Sequence, residues 1–496
     1  MQNSPNHDPK GPMDPSWDDH TDVVVIGSGA AGLSAAIEAR LAGASVMVFE
    51  KMPITGGNTR ISDGGLSAPD NFMQKRLGVV DSPRLFHDDI LQAGLGLNHP
   101  DLVAVFARHA AEAIDWTWSL GVRYAGRLDQ FGGHSVPRTV TIEHNAGHEI
   151  IRTLTTRCDQ LGVPIHTRHT LKRLVTGDNG SVTGVCLSCN TPAYAGPPDP
   201  KTDISAGRIR YMRADRAVVL ATGGFGSDVA FRTCQAPRLD DTIGTTNHKG
   251  ATAEGLTAAL KIHAMPLHLS WIQLGPWGCA DETGYGKGAR FASYSVFPAG
   301  ILVDPATGSR IVNEWADRRQ KSDAILNTGH ACIGIVDDKG AKKEPDSLTS
   351  CLKTGKVRRF DTLSGLGAAC NMPPGSLEQT VTDYNQWTAQ PHPDRFGKRP
   401  KKNTFPLDTP PFYAVRLWPK VHYTPGGLHI DTHARVMDLS HRPIPGFFAA
   451  GEVTGGIHGA GRLGGCALTE CIVFGRIAGQ NAAAITGQKN GQIRHS

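Results

Sequence analysis

The sequence predicts an α/β fold: a mostly parallel sheet layered with helices, closed by the two ends of the chain and interrupted by an inserted domain. Two observations carry this. Near the N-terminus an apolar run, Thr21 to Ile26, enters the cluster Gly27-Ser-Gly29-Ala-Ala-Gly32 and then an Ala-rich stretch, Leu33 to Ala42. Near the other end, Gly451 to Gly465 packs seven glycines, one arginine and one acid into fifteen residues.

The first segment reads as buried strand, tight turn and helix. It is a Rossmann-like dinucleotide fingerprint. Gly27 makes the turn, Gly29 admits a pyrophosphate, Gly32 lets helix and strand pack closely, and the helix N-terminus at Ala31 turns positive potential on the phosphates. A second strand, Ala44 to Phe49, ends at Glu50, 18 positions after Gly32. An acid there accepts hydrogen bonds from ribose hydroxyls, with Lys51 beside it. On these residues NAD and FAD both remain open. In the C-terminal segment, dense glycines let backbone N–H groups approach a large planar or phosphorylated ligand, and Glu452 and Arg462 supply the fixed charges.

Composition excludes several function classes. With 496 residues, 39% of them hydrophobic, the chain can support two or three domains, and a net charge of +5 makes no case for nucleic acid. The basic run Lys398 to Lys402 is short and interrupted by Pro400, so it reads as a solvated loop. No apolar stretch reaches the roughly 18 residues of a membrane span. The first twenty residues are polar and Pro-rich, without a basic n-region and apolar h-region, and the expected location is cytoplasmic. Ten cysteines are scattered. The one C-x-x-C, Cys186-Leu-Ser-Cys189, falls in a predicted hairpin with no second pair at metal spacing, so no metal is expected.

Further motifs lie between the two ends. Gly56-Gly57-Asn58-Thr59 and Gly64-Gly65 follow Glu50, and the apolar strand Ala217 to Leu220 runs into Ala221-Thr222-Gly223-Gly224. Together with Val421-His-Tyr-Thr-Pro-Gly-Gly427, Pro445-Gly-Phe-Phe-Ala-Ala-Gly-Glu452 and His458-Gly-Ala-Gly-Arg462-Leu-Gly-Gly465, these resemble the FAD-dependent family of fumarate reductases, succinate dehydrogenase flavoprotein subunits and 3-ketosteroid dehydrogenases. The two ends look most like soluble fumarate and urocanate reductases, and the steroid enzymes carry a tyrosine motif in place of the Arg462 segment.

The resemblance implies FAD, with Gly27, Gly29, Ala31, Gly32, Glu50, Lys51, Gly57, Asn58, Thr59, Gly64, Gly65, Ala221, Thr222, Gly223, Gly451, Glu452, Arg462, Gly465, Ala467 and Leu468 as the expected contacts. Glu452 would bind ribityl hydroxyls. A helix from Cys466 to Ala478 would aim its positive end at flavin N1 and O2. Asn58 stands where membrane succinate dehydrogenases carry a flavin-linked histidine, so non-covalent FAD is expected. The implied layout is a discontinuous FAD domain, residues 20–269 and 425–490, with an inserted α+β cap over 270–424. Within the first part, alternation from Thr170 to Arg213 around Asp178-Asn-Gly180 and a proline-rich loop near residue 198 predicts a β-meander. Asp101 to Leu120 reads as a helix, and residues 1–18 and 487–496 as frayed tails. No C-x-x-C-H haem motif and no second nucleotide fingerprint occur, which implies a separate electron donor or acceptor.

Chemistry at an activated C=C bond needs a hydride, a proton donor and a clamp for the activating group. In the family an N-E-x-x-x-R arginine moves the proton, and Asn313-Glu314-Trp-Ala-Asp-Arg318 matches it; the bland alternative is an ion pair of Arg318 with Asp317 or Glu314, and Arg319 is the neighbouring alternative. Arg462 matches the carboxylate clamp. The family histidine beside it becomes Tyr423, a hydrogen-bond donor, with His422 one residue earlier. The residues that would hold a second carboxylate and continue the proton relay align with Gly275, Ala292, Val296 and Ser293, with Arg290 or Tyr294 displaced into the site in another register. A C4 dicarboxylate is therefore not expected. Trp271, Trp277, Phe291, Tyr294 and Phe297 suggest a pocket for one polar anchor and an apolar or ring-bearing body, with cap core as the bland reading. The expected function is an FAD-dependent oxidoreductase reducing or forming a C=C bond of an enoate or enone. A cyclic-ketone or 3-ketosteroid dehydrogenase with a quinone-like acceptor and a non-catalytic flavin-binding protein are the alternatives.

Overall fold

In a computed structural model of the chain, residues 16–189, 207–400 and 404–486 are described. The proline-rich loop near residue 198, residues 401–403 of the basic run, the C-terminal tail and most of the N-terminal one lie outside them.

The main sheet runs in the order Arg435–Met437, Pro443–Ala449, Arg208–Leu220, Asp19–Ile26, Val46–Phe49, Ile165–His166. Every pair except the first is parallel. Val23, Val24 and Val25 are all fully buried, as both faces of a parallel sheet require. The register sets Ile26 beside both Phe49 and Leu220. Three strands thus end at one level, and Gly27, Glu50 and Ala221 leave the sheet together, at the carboxyl-end crevice where open α/β sheets bind ligands.

The strand expected at Ala217 to Leu220 is the end of the longer Arg208–Leu220. Its first half pairs antiparallel with Val182–Cys189, which pairs with His169–Thr176, while its second half pairs parallel with Asp19–Ile26. One strand therefore joins meander to parallel sheet. The last arm of the predicted meander, to Arg213, and the apolar run Ala217 to Leu220 are thus one continuous strand. Cys186 and Cys189, three apart on Val182–Cys189, point to opposite faces. Among the described residues no His, Cys, Asp or Glu group could hold a metal ion, and no helix is long and apolar enough to cross a membrane.

The fingerprint helix, Ala30–Leu41, packs on the C-terminal helix, Cys466–Ala484. Small residues allow this. A Cβ on Gly475 would lie 2.5 Å from the Ala31 carbonyl oxygen, and one on Gly479 2.2 Å from that of Ala35. Either would force the helices apart. The predicted Asp101 to Leu120 helix is Pro100–Ser119.

Two short antiparallel ladders lead out of this body and back, Pro266–Leu267 with Gly427–Leu428 and Gln273–Gly275 with Lys420–Tyr423. Between them lies an antiparallel sheet in the order Ser309–Arg310, Ile301–Asp304, Cys332–Asp337, Phe412–Leu417, Val357–Phe360. Its faces carry separate cores because side chains alternate along each strand: Leu302 joins Phe291 and Phe297, and Ile301 and Val303 join Leu366 and Leu377.

Lys398 departs from the solvated-loop reading. It is only 1% exposed, and its Nζ donates to Glu314 Oε2 at 2.8 Å. Glu314 also accepts from Arg310 and from the Leu302 backbone. Burial alone would raise the Glu314 carboxyl, but Lys398 and Arg310 pull it down to about 2. The lysine is needed inside, where a buried carboxylate without cations would be costly.

Candidate active site

Two adjoining cavities open at the carboxyl end of the main sheet. One is walled by Gly27, Gly29, Ala31, Glu50, Lys51, Gly57, Ala221, Thr222, Gly223 and Gly451. The other is walled by Gly64, Gly65, Tyr294, Arg318, His422, Tyr423, Arg462, Gly465, Ala467 and Leu468. Asn58, Thr59, Glu452 and Cys471 face both, so the two form one channel running from the fingerprint to the arginines.

The glycines divide by function. A Cβ on Gly27 would lie 2.2 Å from the Ala221 carbonyl oxygen, and one on Gly32 2.0 Å from that of Gly27. These two close the turn against the chain itself, and Gly32 sits beneath the turn rather than on the cavity wall. Gly29 and Gly223 differ. The nearest atom to a Cβ on Gly29 is Thr59 Oγ1 at 3.8 Å, and Gly223 has none within 4 Å. None of the described residues fills that space, which fits an extended phosphate-bearing cofactor laid along the channel.

Several polar side chains are tied to the protein before any ligand is considered. Glu50 Oε2 accepts from Ser28 N at 3.1 Å and Ser28 Oγ at 2.6 Å, while Oε1 accepts from Met52 N at 2.8 Å. A carboxylate has lone pairs beyond these three, so Glu50 pins the turn and still lines the cavity. Lys51 Nζ donates to Thr252 Oγ1 and Glu254 Oε2. Thr59 Oγ1 accepts from Ala30 N at 3.2 Å. Asn58 donates to Asn247 Oδ1 and accepts from His248 N. Glu452 Oε1 accepts from Thr424 N at 2.9 Å, and burial raises its carboxyl. Gly465, in the left-handed region at φ 75°, starts helix Cys466–Ala484, so the positive helix end carrying Ala467 and Leu468 meets the cavity.

The catalytic candidates converge on the second cavity. Arg462 is 7% exposed and its guanidinium lies over the Tyr423 ring at 4.5 Å. Its Nη1 donates to Leu463 O at 3.0 Å, while its buried Nε has no partner among the described residues. A buried donor of this kind suits an anionic ligand. Arg318 opens helix Arg318–Leu326, which Asp317 caps by accepting from Gln320 N. Its Nη1 donates to Gln273 Oε1 at 3.1 Å, and its guanidinium stacks on Trp277 at 4.5 Å. Burial and then Arg462 push Arg318 well below the ordinary arginine value, which makes it a better proton donor than a solvated arginine.

His422 and Tyr423 have fixed protonation states. Burial, then Arg318 and Arg462, hold His422 well below its usual value, so the ring is neutral; its Nδ1 lies 2.8 Å from Thr246 Oγ1. Burial, then Glu470 and Glu452, lift the Tyr423 phenol well above its ordinary value, so it keeps its proton.

Some expectations do not hold. The ion pair of Arg318 with Asp317 or Glu314 is not formed, because Asp317 is spent as a helix cap and Glu314 on Arg310 and Lys398. Arg319 turns outward to Asp323. Phe291 and Phe297 belong to the cap core, and Trp271, Gly275, Ala292 and Val296 are not on the cavity wall. Arg290 pairs with Asp63 instead of entering the cavity. Trp277, Ser293 and Tyr294 do line it.

Sequence reasoning missed Gln273, Asp63 and Tyr285. Gln273 donates from Nε2 to the Arg462 carbonyl oxygen at 3.0 Å while its Oε1 accepts from Arg318, so one amide ties both arginines. No motif marks it. Asp63 stands directly before Gly64-Gly65, the one signal that could have flagged it.

Residues 22–468 match the family model described as FAD binding domain. The acrylate reductase flavoprotein subunit of Shewanella woodyi is 39% identical over 470 residues, covering 93% of this chain and 91% of that one. Among solved structures, the open conformation of a flavocytochrome c3 fumarate reductase superposes with a TM-score of 0.74 at 33% identity, over 94% of this chain and 78% of that one. A 3-ketosteroid-delta4-(5alpha)-dehydrogenase from Rhodococcus jostii RHA1 superposes with a TM-score of 0.73 at 23% identity, over 94% and 98%, a likeness of fold alone. The chain belongs to the FAD binding domain family and is an FAD-dependent oxidoreductase of the class that acts on carbon–carbon bonds.

Proposed function

We propose that this enzyme reduces the C=C bond of an enoate bearing a single carboxylate. The supporting observation is the pair of buried guanidinium groups lining one cavity: Arg462, whose Nε has no partner among the described residues, and Arg318, depressed by burial and by Arg462. The similarity to an acrylate reductase subunit supports the same substrate class.

FAD, when bound along the channel, supplies the hydride for the carbon β to the carboxylate. Arg462 and the Tyr423 hydroxyl hold the carboxylate. Charge builds on it as the hydride arrives, and a fixed cation stabilises that charge more in the transition state than in the ground state. Arg318 delivers the proton to the α carbon. Trp277 and Gln273 fix its guanidinium, and the positive field of Arg462 favours the loss of its proton. Neutral His422 adds no competing charge. In the opposite direction the same groups would serve desaturation.

We take the FAD to be held without a covalent link, because Asn58 stands where the family's flavin-linked histidine would be and an amide forms no such bond. Electrons come from a separate carrier. We assign residues 20–269 and 425–490 to the FAD domain and 270–424 to the cap, a division supported by their main cores, with a small shared cluster of Leu239, Ile243, Leu274 and Val421 between them. A cytoplasmic setting accords with ten cysteines that are all free thiols.

The test is anaerobic. The bound flavin is reduced chemically and mixed with acrylate, crotonate, fumarate and cyclohexenone while its oxidised absorbance is followed. Acrylate or crotonate should restore it at a catalytically competent rate, and restoration by the neutral enone alone would overturn the proposal.

A further inference from the structure

One wall of the same cavity carries a cluster that the chemistry above leaves unused. Asp63 comes from the flavin side, directly before Gly64-Gly65, and Tyr285, Arg290 and Tyr294 come from the cap. Tyr285 Oη donates to Asp63 Oδ2 at 2.6 Å, Tyr294 Oη donates to the same oxygen at 3.2 Å, and Arg290 pairs with Oδ1. Burial, then the Asp63 charge, lifts both phenols well above their ordinary value, so each keeps its proton.

A phenol has one proton to give. Both are committed to Asp63, so the two hydroxyls present only lone pairs to the cavity, and the Arg290 charge is already opposed by Asp63. Ser293 adds a single hydroxyl to the wall. Asp63, Tyr285 and Tyr294 line the same cavity as Arg318 and Arg462. With Arg462 holding the near carboxylate and Arg318 engaged in proton transfer, the two phenols are polar groups left on the wall for the far end of the substrate.

We propose that this wall selects the far end of the substrate, accepting a group that donates a hydrogen bond and rejecting a second carboxylate. The inference rests on the enoate reading above, because Arg462 must hold the near carboxylate. A carboxamide N–H, phenolic O–H or imidazole N–H donates to the phenol oxygens. A carboxylate meets those lone pairs with no proton left to answer it, and finds no net charge in the Asp63–Arg290 pair, so a second carboxylate stays unpaired there, an element of the kind that builds specificity.

Fumaramate and fumarate test this, because they differ only in a carboxamide for one carboxylate. Each is titrated into the oxidised holoenzyme, with binding read from the flavin spectrum, and each is then used to reoxidise the reduced enzyme. Wild type should prefer fumaramate by about 100-fold or more, as expected of a site that pairs a donor and leaves an acceptor unpaired. Asp63→Asn removes the carboxylate charge that opposes Arg290, and should cut that preference by about tenfold or more. Tyr285→Phe with Tyr294→Phe leaves the Asp63 carboxylate in place, and fumarate should stay excluded. Equal binding of both ligands by wild type, an unchanged preference in Asp63→Asn, or entry of fumarate into the double variant would each overturn the proposal. If Asp63→Asn fails to fold, wild type and the double variant still decide. A wild type that no enoate reoxidises defeats the proposed function, while the binding titration still reads the preference.

Discussion

Gln273→Leu removes one amide from the site and leaves a branched apolar side chain one atom shorter. Two hydrogen bonds disappear, the charged one from Arg318 Nη1 at 3.1 Å and the neutral one to the Arg462 carbonyl oxygen at 3.0 Å. A bond to a charged group is worth about 1.5–3 kcal/mol and a neutral one about 0.5–1.5 kcal/mol. Trp277 still stacks on Arg318 at 4.5 Å, so the guanidinium is loosened rather than released. The lower half of the charged range applies, about 2 kcal/mol of lost transition-state positioning, or roughly thirtyfold in rate at about 1.4 kcal/mol per decade. The assay is stopped-flow reoxidation of the reduced enzyme by acrylate under saturating conditions, with enoate binding measured separately on the oxidised enzyme. The rate of the chemical step should fall about thirtyfold while enoate affinity falls less than about threefold, since Arg462 keeps its Leu463 contact and its place over Tyr423. A variant with full chemical rate, or one whose loss lies wholly in binding, would refute the view that Gln273 positions Arg318 for proton transfer.

Arg462→Ala should lower kcat/KM for an enoate by about 30- to 1,000-fold, the equivalent of about 2–4 kcal/mol for a lost charged anchor, and lower that for a neutral enone much less; equal losses would favour the cyclic-ketone reading. Gly32→Ala places a Cβ 2.0 Å from the Gly27 carbonyl oxygen and should yield protein with reduced flavin content and a lower melting temperature, measured by absorbance ratio and thermal scan. Burial raises the Glu470 carboxyl from its ordinary 4.5 to about 8, so the folded state binds a proton that the unfolded state has released. Its contribution to stability is complete below about 4.5 and is lost as pH rises through about 8, so Glu470→Gln should flatten the fall in denaturant midpoint between pH 6 and 9, and an unchanged slope would count against it. Heat or acid denaturation should release all FAD into the supernatant, and flavin retained on the precipitated chain would contradict the non-covalent assignment.

Much of the architecture could be read from local pattern. An apolar strand followed by spaced glycines and a small-residue helix has one economical solution, because only glycine survives at 2.0–2.2 Å from neighbouring carbonyl oxygens, and the fingerprint fell into place residue by residue. Arg318 and Arg462, singled out by their motifs, both line the second cavity. Strand Arg208–Leu220 was read as two pieces, because alternation up to Arg213 marks a meander arm with one side in water while the apolar run from Ala217 marks a buried parallel strand. Lys398 was misread because a basic run looks solvated until the carboxylate that draws it inward, Glu314, is placed 84 positions away.

The sequence by itself determined the dinucleotide-binding strand, turn and helix and membership of the FAD family, since these rest on neighbours a few residues apart. Only the tertiary structure decided what surrounds Arg318 and Arg462. Gln273 bridges Arg318 and Arg462 across 45 and 189 positions, and Asp63 meets Tyr285 and Tyr294 across 222 and 231. Burial and hydrogen-bond saturation set the charge of a group and the protons it has left to give, and both are fixed by folded contacts that no local spacing encodes.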